Sequence, residues 1–287
     1  SAVVDLAAQT LDLSELVAKT LGLVVEAQLQ GRQILGDLAF DGTLRINEFV
    51  PRDVIKALGI AAPEVSDPAV LGKADASMTL AGTTDSVQLS DMVVRLDDST
   101  LSGQAGVSHF SKPAIRYTLK LDGIDVDRYL PPDAEAVPAT PTTAAAAGAD
   151  MIPVETLKAL DVDGTFTIGQ LKVSGLKSSD IVMKLVAKSG LLRVHPASAN
   201  LYQGSYAGDI KLDVRGKQPK ISLNDKLAGV EVGPLLKDLT GEDTLSGTTN
   251  ANATLVTSGQ SPEQMKQTLN GKIEEHTSEL QSRGHLV

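Results

Sequence analysis

Two neighbouring carboxylates, Asp97 and Asp98, are the residues whose types first suggest chemistry. A pair of carboxyl groups can hydrolyse a glycosidic bond when the two groups lie on either side of it. Adjacent residues of a strand point to opposite faces, however, so these two carboxylates cannot flank one bond. We therefore interpret the pair as a solvated strand end or a turn.

Two acidic segments, residues 122–127 and 161–164, resemble parts of a calcium-binding loop. The full loop needs a third acidic or Asn ligand before its glycine and a Glu six residues after it. Here Gly164 leads straight into the strand-like segment 165–168, and position 170 is Gln170. The sequence therefore predicts that neither segment is a calcium site.

The other reactive residue types form no catalytic pattern. The histidines are far apart, and no two have the spacing of metal ligands: they are His109, His195, His276 and His285. His195 precedes Pro196 and is expected in a loop. The segment Gly204–Gly208 is followed by a strand pattern, whereas a phosphate loop continues into Lys, Ser or Thr and a helix. No serine lies in a nucleophile-elbow pattern. The sequence predicts no enzyme, no metal and no cofactor.

Composition narrows the class of partner. The net charge is −10, and the 26 basic residues are scattered among 36 acidic ones, which argues against nucleic acid. Aromatic residues make up 3% of the chain, so aliphatic side chains must supply nearly all of the apolar surface. The absence of cysteine excludes disulfides and thiolate metal sites. No apolar run is long enough to span a membrane.

Apolar and polar residues alternate in many segments, as in residues 210–215, which indicates strands with one apolar face. The residues predicted to form this face are Met92, Val94, Leu96, Ile115, Tyr117, Leu119, Ile181, Met183, Leu185, Ile210, Leu212, Val214, Ile221 and Leu223. Two interpretations stay open. The residues can pack into a closed core, or they can line a groove that holds acyl chains.

The strand pattern occurs twice. Gly103 and Gly204 lie 101 positions apart, and Gly123 and Gly229 lie 106 apart, each within a similar local sequence. The repeat predicts a mainly β fold with short α-helices (α+β), in which antiparallel multi-strand modules, each closed by a short helix, form an elongated curled sheet.

Four segments follow from this repeat: a first module at 1–132, a linker rich in Pro, Ala and Thr at 133–150, a second module at 151–273 and a polar tail at 274–287. The tail is expected to be disordered or vector-derived. Within the first module, residues 11–22 are predicted to hold a short helix with Ser14 as its N-cap. The chain is interpreted as a fragment of a longer protein.

Short motifs spread over residues 35–271 resemble the AsmA family of bacterial proteins. The motifs, in order along the chain, lie at residues 49–52, 58–59, 96–103, 121–131, 201–204, 245–250, 259–261 and 269–271. The resemblance implies an N-terminal transmembrane anchor in the inner membrane, a long periplasmic β-sheet region and a link to outer-membrane biogenesis. It also implies similarity to bridge-like lipid transfer proteins. The anchor is missing from this chain, as is the continuation after Gly271.

The resulting hypothesis is a non-enzymatic periplasmic module that binds or conducts a phospholipid or another acyl-chain lipid along an apolar β-groove. The alternative is an interaction scaffold that modulates outer-membrane protein assembly through sheet edges. A carbohydrate-binding sandwich is disfavoured, since four Phe and four Tyr residues provide few aromatic platforms.

Overall fold

The computed structural model describes residues 2–132, 152–242, 245–277 and 281–282. The described residues divide into two compact units, one made of residues 2–124 and 128–132 and the other of residues 125–127 with those from 152 onward. The linker predicted at 133–150 lies outside the described residues.

The first unit is a sheet whose strands follow one another in sequence order, each antiparallel to the next. The strands are β1 (Ala2–Asp5), β2 (Thr10–Thr20), β3 (Leu23–Arg32), β4 (Ala39–Phe49), β5 (Ala74–Thr83), β6 (Ser86–Leu96), β7 (Ser99–Ser108) and β8 (Ala114–Asp125). Helix α1 (Pro51–Ala57) follows β4, and a 3₁₀ turn (Val126–Tyr129) follows β8. Pro51 at the first position of α1 and the left-handed Gly59 just after the helix are residue types that commonly begin and end helices.

The second unit repeats this plan. Its main sheet contains β9 (Asp161–Val173), β10 (Leu176–Lys188), β11 (Leu191–Leu201), β12 (Gly204–Asp213), β13 (Lys220–Glu231), β15 (Thr248–Ser258) and β16 (Asn270–Thr277), in that order. A second, two-stranded ladder joins β14 (Leu245–Ser246) to β17 (Gln281–Ser282). The helices are α2 (Val154–Ala159), α3 (Val232–Thr240) and α4 (Pro262–Thr268). Ser261 caps α4 by accepting a hydrogen bond from the Gln264 N–H at 3.3 Å.

The mainly β fold class with short helices is confirmed. The repeat has a structural counterpart, since β7, β8 and the 3₁₀ turn correspond to β12, β13 and α3. Residues 274–277, which the sequence analysis assigned to the polar tail, continue β16 and pair with β15.

The helix predicted at residues 11–22 is wrong, because this segment is strand β2. A β-bulge lies between Leu13 and Leu16, where three steps on β2 match two on β3. The extra residue gives the apolar side chains a spacing of three, which mimics the period of a helix. The loop predicted around His195 is also wrong, since His195 lies within β11 beside a second bulge.

Gly42 lies in an unbroken part of the β3–β4 ladder, opposite Leu29, and not at a bend or a bulge. A Cβ atom at this position would lie 2.0 Å from the Gln28 carbonyl oxygen and 2.9 Å from the Leu29 Cα. Both atoms belong to the backbone and cannot rotate away. Glycine is therefore required by the close approach of two strands.

Replacing Gly42 by alanine should lower the free energy of unfolding by about 2 kcal/mol or more, because the two strands must separate. Gly36 is the matched control, since a Cβ there would meet no atom within 4 Å. Gly36→Ala should change the free energy of unfolding by less than about 0.5 kcal/mol in urea denaturation. Equal effects of the two substitutions would contradict the close approach.

Candidate functional site: an apolar sheet face

The register places the predicted residues of the first unit on one face. Met92 in β6 lies opposite Gly103 in β7, which lies opposite Leu119 in β8. Residues directly opposite each other in antiparallel strands point to the same side of a sheet. Val94 and Leu96 of β6 lie two and four residues after Met92, so they point to the same side as Met92. Tyr117 and Ile115 of β8 lie two and four residues before Leu119, so they point to that side as well. These six side chains therefore lie on one surface.

A β-bulge keeps this face continuous. Leu89 and Met92 lie three positions apart in β6, but their partners in β7 lie two apart. Asp91 takes a left-handed conformation at this point, with φ of 48°. The extra residue restores the phase of the strand, so Leu89 and Met92 share a face. In the sequence, this bulge is visible as a change of phase in the apolar alternation near Asp91.

The face extends across strands that the sequence analysis did not include. Ile46 of β4 pairs with Val25 of β3 and with Ala76 of β5, and Ala76 pairs with Val94. Additional aliphatic and aromatic members in β2 to β5 include Leu13, Leu16, Val25, Ala27, Leu29, Phe40, Leu44, Ile46, Ala76, Met78 and Leu80. The apolar face of the first unit thus runs from β2 to β8.

The second unit has an equivalent face. Leu185 of β10 pairs with Val194 of β11, Val194 pairs with Ile210 of β12, and Ile210 pairs with Leu223 of β13. The other predicted residues on this face are Ile181, Met183, Leu212 and Ile221. Val214 is the exception, since it lies one residue beyond β12 and is 1% exposed. Val214 therefore packs at the end of the sheet.

Most of the predicted residues are only half-buried. Met92, Ile181 and Val214 are buried, whereas the other eleven keep an intermediate exposure. The large side chains that are fully buried lie at the ends of strands and in the adjoining loops, as Val70 and Val230 do, and not in the middle of the strands. The middle of each face therefore keeps apolar surface accessible, and its role in binding stays a prediction.

The opposite face of each sheet is polar. In the first unit, Arg95 of β6 forms an ion pair with Asp75 of β5 at 2.8 Å. In the second unit, Arg193 donates two hydrogen bonds to Asp209, both 2.7 Å long. These bonds lower the pKa of Asp209 to about 2. Each sheet is therefore two-sided, with charge pairs on one surface and aliphatic side chains on the other.

One polar pair interrupts the apolar face of the second unit. The Tyr206 hydroxyl of β12 donates a 2.9 Å hydrogen bond to Asp225 Oδ1 of β13. Burial raises the pKa of Tyr206 to about 12, and the bond to Asp225 acts in the same direction. Sequence reasoning missed this pair. The sequence did contain one sign of this pair. Asp225 follows Ile221 and Leu223 at the same two-residue spacing, so it lies at a position where the alternation predicts an apolar residue.

The acidic residues considered for chemistry hold loops instead. Asp97 accepts hydrogen bonds from the backbone N–H groups of Leu71 at 2.7 Å and Gly72 at 2.9 Å, and from the Tyr129 hydroxyl at 2.8 Å. Asp98 pairs with Arg128 at 2.7 Å. The two carboxylates thus have separate partners and do not converge on one space.

The acidic segment 122–127 is organised in the same way. Asp122 accepts a 2.7 Å hydrogen bond from the Thr100 N–H, and Asp127 accepts a 2.9 Å bond from the Gly175 N–H. Among residues 2–132, 152–242 and 245–277, no three acidic or histidine side chains form a group that could hold a metal ion. None of the helices in this part of the chain is long and apolar enough to cross a membrane.

Comparison with known proteins identifies the family. The model described as "AsmA family" matches residues 27–274, which is most of the chain, so the protein belongs to the AsmA family. The chain is similar to "Protein AsmA" of Escherichia coli strain K12, with 25% identity over 169 residues. This match covers 53% of the chain but 27% of the relative, so the matched region is about a quarter of that protein. No solved structure gives a significant match.

The role of Asp97 predicts a pH-dependent contribution to stability. Partial burial acts to raise the pKa of Asp97, but the hydrogen bonds from Leu71, Gly72 and Tyr129 outweigh it and lower the pKa below 3.8. A lowered pKa in the folded state means that the stabilisation is present above about pH 4 and is lost as the pH falls further. Asp97→Asn should therefore cost about 1–2 kcal/mol of unfolding free energy at pH 7, and its difference from the wild type should shrink as the pH falls below about 4.

Asp98→Asn is the matched control, since it removes the same charge from the adjacent residue. The Asp98 side chain is 83% exposed, and an exposed ion pair contributes little. Urea denaturation at several pH values should show a change below about 0.5 kcal/mol for this variant. A constant effect of Asp97→Asn from pH 7 to pH 2 would contradict the assignment.

Proposed function

We propose that the chain is a non-enzymatic, lipid-binding module of an AsmA-family protein that acts in the bacterial envelope. Its two apolar sheet faces hold the acyl chains of phospholipids or other lipids. The observation that carries the proposal is the continuous register of half-buried aliphatic side chains across β2 to β8 and across β10 to β13. Membership in the AsmA family supports a role in the envelope.

Simple energetics support binding without a charged anchor. Burying one methylene group contributes roughly 0.8 kcal/mol, and neighbouring strands lie about 4.8 Å apart. An acyl chain that crosses several strands therefore contacts a ladder of aliphatic side chains and gains several kcal/mol. The half-buried state of Ile115, Leu119 and Ile210 leaves surface for such contacts.

The location and partners belong to the same proposal. The module lies in the periplasm, and in the full-length protein it is attached to the inner membrane through an anchor outside this chain. It serves outer-membrane biogenesis by binding or conducting lipid. Envelope proteins are further proposed partners, and nucleic acid is not among them because the net charge of −10 repels phosphate.

The alternative, a scaffold that modulates outer-membrane protein assembly, would use the sheet edges. Among the strands of the described residues, the edge strand β1 pairs with β2 alone, and it exposes Val3 at 61% and Val4 at 56%. Exposed edge strands can add a strand from a partner. This observation favours the scaffold as the second candidate.

Site-specific photocrosslinking in bacterial cells separates the two candidates. A photoreactive amino acid at Leu119 or Ile210 lies on an apolar face, whereas the same amino acid at Lys120 or Lys211 lies on the opposite face. Lipid adducts, measured by intact-protein mass spectrometry, should form at Leu119 and Ile210 and be at least about fivefold weaker at the lysine positions, since these face water.

The neighbouring lysine positions control for expression and for general exposure of each strand. Equal lipid adducts at all four positions, or none at any, would falsify lipid binding by these faces. The same photoreactive amino acid at Val3 tests the edge strand β1. Adducts with an envelope protein at Val3, together with no lipid adducts at Leu119 and Ile210, would support the scaffold instead.

A further inference from the structure

The apolar face of the second unit contains a carboxylate near its middle. Asp225 lies on β13 between Leu223 and Leu227, in phase with both. Its cross-strand neighbours are Gly208 on β12 and Ala253 on β15. An acidic side chain in such surroundings is unfavourable unless it has a partner, because burial penalises the charged form.

The local backbone is adapted to this carboxylate. Gly208 lies between Tyr206 and Asp225, and a Cβ atom at Gly208 would be 2.3 Å from the Tyr206 hydroxyl and 2.7 Å from Asp225 Oδ1. The absence of a side chain at Gly208 thus provides the space in which the hydroxyl and the carboxylate meet. Tyr206, Gly208 and Asp225 together form a polar pocket on the apolar face, which we call the Tyr–Asp pocket.

The repeat supplies an internal comparison. At the offset of 106 that relates Gly123 to Gly229, Asp225 corresponds to Leu119 of β8, and the residue opposite Leu119 in β7 is Gly103, as Gly208 is opposite Asp225. Leu101, which lies two residues before Gly103 and opposite Leu121, takes the position of Tyr206. The same strand pair therefore forms with apolar residues at every equivalent position. The Tyr–Asp pocket is not needed for the module to fold, so it calls for another explanation.

The pocket has unused capacity to accept a hydrogen bond. The Tyr206 hydroxyl bonds to Oδ1 of Asp225, and in the part of the chain that the structure describes no basic side chain pairs with this carboxylate. The nearby Arg193 and Lys211 are on the opposite face, where they pair with Asp209. The carboxylate thus offers an uncompensated negative charge to a ligand that lies on the apolar face.

We propose that the Tyr–Asp pocket binds the ammonium group of an aminolipid whose acyl chains lie on the flanking aliphatic side chains. The ammonium group donates a charge-assisted hydrogen bond to Asp225, and Tyr206 holds the carboxylate in place. Leu223, Leu227 and Ile210 contact the adjoining hydrocarbon. This inference rests on the proposed lipid-binding function and names the class of lipid that the second unit selects.

A competition between two lipids tests the proposal. The delipidated chain is incubated with equimolar dioctanoyl phosphatidylethanolamine and dioctanoyl phosphatidylglycerol, and the bound species are counted by native mass spectrometry. The two lipids share acyl chains and a phosphate, but only the first carries an ammonium group. The wild type should prefer phosphatidylethanolamine by about tenfold, as expected for one charge-assisted hydrogen bond.

Asp225→Asn should reduce this preference to within about twofold, because the amide keeps the shape and can still accept from Tyr206 but has no charge. Asp163→Asn is the matched control. It makes the same change in net charge on the opposite face of β9, where Asp163 lies 3.8 Å from Lys184. The control should keep the wild-type preference, and circular dichroism should show the same fold for all three proteins.

The outcomes are distinguishable. Equal binding of the two lipids by the wild type, or an unchanged preference in Asp225→Asn, overturns the role of the Tyr–Asp pocket and leaves the proposed lipid binding intact. A loss of preference in Asp163→Asn as large as in Asp225→Asn also overturns it, since net charge then explains the effect. Binding of neither lipid overturns both proposals.

Discussion

The alternation of side chains along a pleated strand is the constraint on which this structure depends. The apolar side chains of a sheet share one surface on the condition that every strand stays in phase with its neighbours. A slip of one residue would turn Leu119 towards the charged face and Lys120 towards the apolar one. The bulges at Leu13–Leu16 and Leu89–Met92 preserve the phase by taking up an extra residue. The apolar faces therefore exist because the register is kept over many strands.

The distribution of polar contacts follows from the same constraint. Ion pairs such as Arg193–Asp209 occupy the polar face. Asp97, next to the end of β6, holds a loop through the Leu71 N–H, and Asp122 of β8 accepts a hydrogen bond from the Thr100 N–H of β7. Residues that looked reactive in the sequence thus have structural partners. The Tyr–Asp pocket differs, because it places a carboxylate on the apolar face of the second unit, where the first unit has Leu119 opposite Gly103.

Much of this fold could be predicted from the sequence, since period-two alternation is strong in β6, β8, β12 and β13. The predicted apolar residues of these strands share faces as the register requires, and the bulge near Asp91 left a visible change of phase. The segment that became β2 was misread because its bulge imitates helical spacing. The requirement for glycine at position 42 could not be predicted, because a close approach between strands depends on the neighbouring strand, which local sequence does not reveal. The partner of Asp225 was missed for the same reason, as Tyr206 lies 19 residues away.

The central claim is that the apolar side chains form surfaces that hold lipid. Methyl NMR with a lipid that carries a spin label on its acyl chain measures this directly, because the label broadens nearby methyl signals. The account predicts strong broadening for Leu119, Ile210 and Leu223, and little for Val93 and Val186, which are apolar but lie on the polar faces. Equal broadening of both groups, or none, would contradict the account.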